Sequence, residues 1–226
     1  MHRFLALLFP ALLLVGCANS RVYFPGGYDM GPVPTMPIVT EEDHRRIGVA
    51  VNTSGGYNDG ESNTNTEFSY TLGTGSGWNR IGGKGFIYTG FYSVRGEEGA
   101  RNYTGAGLLA DGSLALRIGR FGLGIGAGFG GIFEIGPYTE LYLGDFESRI
   151  APLANFSMFA SLGLATKSLL SIQALVGIPG GATVSASFFD GDKWGASFGF
   201  GQDASLGNDG SGSPFGRVTV GVSYGL

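Results

Sequence analysis

Phe121 to Gly131 reads F-G-L-G-I-G-A-G-F-G-G. Glycine takes every second position, and Phe121, Leu123, Ile125, Ala127 and Phe129 fill the places between. On a helix those five residues would scatter round the axis; on a strand they share one face and leave the other almost bare. The stretch is therefore a strand with one apolar wall and one nearly side-chain-free wall.

The alternation extends well beyond it. Twelve segments follow from Ile47 onward: Ile47 to Thr53, Thr66 to Gly73, Phe86 to Val94, Asn102 to Leu109, Leu114 to Ile118, Phe121 to Gly131 with Ile135 as an alternative end, Tyr138 to Leu143, Ala154 to Leu164, Leu170 to Ile178, Thr183 to Phe189, Lys193 to Gly201 and Val218 to Leu226. In the third, the two faces are poorly distinguished. Turn signals separate the segments. Ala110-Asp111-Gly112-Ser113 reads as a hairpin, a slip of phase at Gly119-Arg120 marks a tight turn, and Pro179-Gly180-Gly181 and Asp190-Gly191-Asp192 mark two more.

Composition says which medium the apolar face meets. Glycine supplies 43 of 226 residues, against a usual ~7%, and charged residues make up only 14%, against about 25%. A strand face turned to water is normally rich in Lys and Glu; here the face opposite the apolar one is Gly, Ser, Thr, Asn and Gln with isolated charges. Such a face suits the inside of a barrel, with the apolar face turned to lipid. Apart from the N-terminal run, no apolar stretch approaches the ~20 residues of a membrane helix, so a crossing must be a closed sheet. The fold expected is an all-β, closed antiparallel up-and-down transmembrane barrel of twelve strands, with ten and eight as alternatives.

Loop lengths orient it. With both termini on one side of the membrane, the long polar joins Ser54 to Asn65 and Gln202 to Pro214 fall on the other, as in barrels with long outer loops and short inner turns. Thr74 to Gly83 is then a long join on the wrong side. Trp194, Tyr224, Tyr88, Tyr103 and Tyr138 lie toward strand ends, where aromatic girdles sit.

The first seventeen residues, MHRFLALLFPALLLVGC, have a short basic start, an apolar run from Phe4 to Val15 and a small residue before Cys17, the layout of a secretory signal peptide. Leu14-Val15-Gly16-Cys17 resembles the lipobox of bacterial lipoproteins. The resemblance implies diacylglycerol transfer to Cys17, cleavage after Gly16 and acylation of the new amine, and Ala18 in the next position implies transfer to the outer membrane. Cys17 is the only cysteine, which removes intramolecular disulfides. The last segment likewise resembles the terminal strand of outer-membrane barrels, whose usual last residue is aromatic; here the aromatic is Tyr224. The domains expected are a signal peptide over 1–16, a lipidated Pro/Gly-rich linker over 17–45 and the barrel over 46–226.

Loss of Arg3 with residues 1–16 leaves 13 of the 14 basic side chains against 18 acidic, a formal charge of −5. That balance argues against nucleic-acid partners. Gly126, Gly128 and Gly131 formally match G-x-G-x-x-G, but no helix follows. His44 is the one histidine after the signal peptide, so neither a histidine metal site nor a Ser-His-Asp triad is expected. The charges expected on the inward face are Glu67, Arg117, Glu140, Lys193 and Arg217. They would either brace a small lumen as ion pairs, the favoured role, or form a solute-selecting eyelet.

The function expected is a non-enzymatic outer-membrane barrel lipoprotein, either a narrow pore or a structural and surface-interaction protein. Its partners are outer-membrane lipid and small solutes, and it needs no cofactor or metal beyond the lipid on Cys17. The alternatives are a lipid-tethered periplasmic β-sandwich or lipocalin-like carrier of small apolar ligands, and an acyl-modifying enzyme of the outer membrane.

Overall fold

The computed structural model describes residues 44–55, 62–76, 79–93, 100–136, 148–164, 168–178, 181–190, 193–202 and 217–226. Ten strands form one closed barrel. They are β1 (His44–Gly55), β2 (Ser62–Ser76), β3 (Asn79–Ser93), β4 (Ala100–Ile118), β5 (Phe121–Ile135), β6 (Ser148–Gly163), β7 (Ser168–Ile178), β8 (Gly181–Asp190), β9 (Trp194–Gln202) and β10 (Arg217–Gly225). Each pairs antiparallel with its neighbours in sequence, and β1 pairs with β10 to close the wall. A β-sandwich, the soluble alternative, would leave two separate sheets.

The count is ten, not the favoured twelve, for two reasons. Asn102 to Leu109 and Leu114 to Ile118 belong to one strand, β4, which continues through Asp111-Gly112 without a turn. Leu108, Ala110, Leu114 and Leu116 all keep to the exposed side while Leu109, Asp111 and Ser113 alternate with them, so the side-chain phase never slips there, as it does at a real turn. Asp111 faces inward within electrostatic reach of Arg80 on β3. The second reason is Tyr138 to Leu143, which lies outside the described residues; β5 pairs directly with β6, leaving no place for it in the wall.

The turn expected at Gly119-Arg120 is present. Gly119 has φ of 62°, the one positive value among the described residues, and a side chain there would adopt a left-handed conformation that costs L-residues roughly 1–2 kcal/mol. Gly119→Ala is expected to destabilise by that amount in urea unfolding, since an added Cβ meets nothing within 4 Å and only backbone strain acts.

Both termini of the wall lie at one end. Strands at that end are joined by residues 77–78, 119–120, 164–167 and 191–193, and at the other by 56–61, 94–99, 136–147, 179–180 and 203–216. The long join expected over Thr74 to Gly83 does not exist: β2 and β3 pair through Ser76 and Asn79, so the joins at the terminal end are all short, and the other end carries the long ones beside the two-residue join 179–180. β1 begins at His44, which brings His44 and Arg45 from the expected linker into the wall beside Arg46.

Cross-strand registers fix the tilt. Through β2, β3 and β4, the row of paired residues containing Ala50 passes Glu67, Tyr88 and Gly105 and reaches Glu134 on β5. The other way, through β10 to β6, it passes Gly221, Ser197, Ser187, Ser171 and Ser161 and reaches Gly122 on β5. The two arrivals are twelve residues apart, 134 against 122, the stagger by which tilted strands close a barrel.

Inside and outside are the reverse of a water-soluble fold. Leu123, Ile125, Phe129, Ile172, Val184 and Val222 are exposed on the outer wall, whereas Asn52, Glu67, Lys84, Glu134 and Gln173 are buried in the lumen. Water would expel such an exterior, because each apolar Å² left exposed forgoes roughly 25 cal/mol; a hydrocarbon solvent does not. β2 to β6 run 15 to 19 residues, beyond the ~9–11 that cross a bilayer, while β1 and β7 to β10 run 9 to 12. One side of the wall is therefore tall enough to stand clear of the membrane.

Candidate functional site in the barrel lumen

The Ala50 row divides the lumen. One arm carries Glu67, Tyr88 and Glu134; the other is a spiral of serines and glycines. Large side chains therefore project from β1 to β5 toward a wall of small ones.

Every inward-facing aromatic among the described side chains stands directly across from a glycine. Phe86 pairs with Gly107, Tyr88 with Gly105 and Tyr103 with Gly90 across β3 and β4; Phe159 pairs with Gly124 across β5 and β6, and Phe189 with Gly195 across β8 and β9. In all five pairs a Cβ added to the glycine would overlap the ring or hydroxyl of its partner. The rings lie flat along the wall over bare backbone, covering glycines that would otherwise weaken the strands. Five of the glycines thus make room for aromatics on neighbouring strands.

Around these rings runs a buried polar network. Tyr88 Oη donates to Glu134 Oε2 at 2.5 Å and Tyr103 Oη to Asn63 Oδ1 at 2.5 Å. Asn52 Nδ2 donates to Asn65 Oδ1 at 3.0 Å, and Thr219 Oγ1 to Asn52 Oδ1 at 2.7 Å. From the outer face, Thr104 Oγ1 donates to the Tyr88 carbonyl at 2.9 Å and Thr89 Oγ1 to the Tyr103 carbonyl at 3.2 Å, so each tyrosine is tied by both side chain and backbone. Glu67 and Lys84 form an ion pair with side chains 1% and 3% exposed. Tyr88 itself is 2% exposed. These groups fill the loop half of the lumen, and Leu109, Leu175 and Phe159 are buried below them.

Among the residues singled out from sequence, Glu67 is buried in this network. Arg117 is exposed beside the β4–β5 turn, where its Nε donates to the Gly119 carbonyl at 3.0 Å; it reaches a turn and not a partner in the lumen. Lys193 is exposed in the β8–β9 turn. Arg217 opens β10, opposite Gly201 and Ser54, and its side chain lies outside the described residues, as do Glu140 and Cys17. Tyr88 and Tyr103, expected in a girdle, point into the lumen; Trp194 and Tyr224 are exposed at the terminal end with ring centroids 5.0 Å apart. Tyr138 lies outside the described residues.

Sequence reading missed Lys84, Glu134, Arg46 and the asparagines. On β3 the outer face carries Gly83 and Gly85 while Phe86 and Tyr88 point inward, so the hydrophobic contrast that marks faces elsewhere is cancelled. The signal that could have found them is parity, counted from Ile81 and Ile87, both exposed outside.

No protein-family model matches the chain, and no curated protein matches it. Solved structures with a similar fold include Neisserial surface protein A, at 9% identity over 81% of this chain and 94% of that one with a TM-score of 0.40. The transport unit of the autotransporter AIDA-I from Escherichia coli is 11% identical over 84% and 91%, with a TM-score of 0.46. Ail, the attachment invasion locus protein of Yersinia pestis, solved with the heparin analogue sucrose octasulfate, is 12% identical over 81% and 97%, with a TM-score of 0.37. At such identities and scores these likenesses say nothing of what this chain binds or does.

Proposed function

We propose that this protein is a lipid-anchored bacterial outer-membrane β-barrel with an occluded lumen, non-enzymatic, and serving a structural or surface-interaction role and not solute passage. The observation that carries the reading is the packed interior: Tyr88, Glu67, Lys84 and Glu134 are each 3% exposed or less, and their partners span β2 to β5. A conducting pore of this class holds a water-filled lumen.

The location rests on the outer wall. Its apolar belt gives way to Thr53, Thr66, Thr89 and Asn102 toward the loop end of β1 to β4 and to Trp194 and Tyr224 at the terminal end, the sequence of bands that a bilayer selects. The tall side of the wall and the longer joins at that end supply a surface beyond the membrane. Lipidation at Cys17 and outer-membrane sorting follow from the lipobox resemblance alone.

Planar-bilayer recording tests the occluded lumen. The purified protein is expected to insert without stepwise conductance, and regular open-channel steps would overturn the reading. Electrophoresis of unheated samples is expected to show a mobility that changes on boiling.

A further inference from the structure

Below the polar network, toward the terminal end, a cavity of about 50 Å³ remains in the lumen between β1, β2 and β8 to β10. The side chains lining it include Arg46 and the hydroxyls of Ser69, Thr71, Ser187, Ser197 and Ser223. No Asp or Glu lines it among the described residues. Arg46 is 5% exposed. Its guanidinium stacks 4.7 Å from the centroid of Phe189, and one terminal nitrogen donates to Ser223 Oγ at 3.3 Å. Stacking and hydrogen bond hold the planar guanidinium in place.

Three glycines hollow out the space. Gly48, Gly195 and Gly221 line the cavity, and a Cβ at each would stand 2.9 Å from Ser69 Oγ, 2.6 Å from Ser223 Oγ and 2.8 Å from Ser197 Oγ respectively. The hydroxyls therefore lie over bare backbone and line the cavity.

We propose that this cavity binds a small inorganic oxyanion of phosphate or sulfate type. One guanidinium and five hydroxyl-bearing side chains line it, groups able to donate to an acceptor-only ligand with four oxygens. A cavity needs roughly 10–15 Å³ per water-sized occupant, so the volume suits about four oxygen-sized positions. A sugar phosphate or a lipid headgroup with its substituents exceeds it. The anion completes the lower lumen as the Glu67–Lys84 pair completes the upper.

The test uses the full-length protein in detergent micelles at constant ionic strength. Thermal unfolding and calorimetric titration are run with inorganic phosphate, sulfate, chloride and phosphoethanolamine. Saturable binding of phosphate or sulfate, with a raised melting temperature and at least tenfold weaker binding of phosphoethanolamine, supports the proposal. Arg46→Gln and Gly221→Val, the second filling the cavity with the arginine kept, are expected each to weaken binding at least tenfold. Ser197→Ala, which removes one of the five hydroxyls and adds no bulk, is expected to weaken it severalfold and covers the case in which the other variants fail to fold. No saturable binding by the wild type, equal shifts from chloride, or unchanged affinity in the variants that fold would each overturn it.

Discussion

Lys84→Met is expected to be among the most destabilising single substitutions in the barrel, lowering the free energy of urea unfolding in lipid vesicles by about 3–5 kcal/mol. Lys84 and Glu67 sit on adjacent strands, both nearly inaccessible to solvent. Removing the ammonium leaves a carboxylate with no counter-charge in a lumen too packed to admit bulk water, and that uncompensated charge is the source of the cost. The pair as a unit is worth far less than either deletion suggests. Glu67→Gln combined with Lys84→Met is therefore expected to recover at least half of the loss. If the double variant is as unstable as Lys84→Met, the damage is from lost packing of the lysine stem against Phe86, whose ring centroid lies 5.1 Å from Nζ, and the electrostatic account fails.

Gly105→Ala is expected to cost at least the ~1–3 kcal/mol of ordinary overpacking. The added methyl would overlap the Tyr88 ring and hydroxyl and stand 2.7 Å from the Phe133 carbonyl oxygen. Tyr88 cannot swing aside without giving up its hydrogen bond to the buried Glu134 carboxylate. The clash belongs to the pair, so Tyr88→Ala with Gly105→Ala is expected to cost clearly less than the sum of the two singles. Ala127→Leu, on the exposed outer wall of β5, is expected to stay within about 0.5 kcal/mol of wild type. Additive losses at 88 and 105, or a large loss at 127, would contradict the packing described for the lumen.

These two sites show what sequence could and could not convey. The strand nature of Phe121 to Gly131, its apolar outer face and the barrel as a class were legible because side-chain alternation is a local, period-two signal. The turn at Gly119-Arg120 was legible for the same reason, through its slip of phase. Asp111-Gly112 misled because turn propensity was weighed without the phase, which runs unbroken from Ala106 to Leu116. The lumen network was mostly illegible: Glu67 meets Lys84, and Tyr88 meets Gly105 and Glu134, through registers set over the whole wall, and register is not written in any single strand. Gly105 and Gly124 look alike in sequence to any small lumen residue; only the partner strand says that one lies under a tyrosine and the other under a phenylalanine.

The central claim is that the apolar wall meets lipid and the polar wall is sealed inside. Photolysis of vesicles carrying the protein and a diazirine-bearing phospholipid, followed by peptide mass spectrometry, tests it without any substitution. Adducts are expected on Leu123, Ile125, Phe129, Ile172, Val184 and Val222, with none on Glu67, Lys84, Tyr88 or Glu134. Adducts on the second set with the first unlabelled would show the sheet to be inside out.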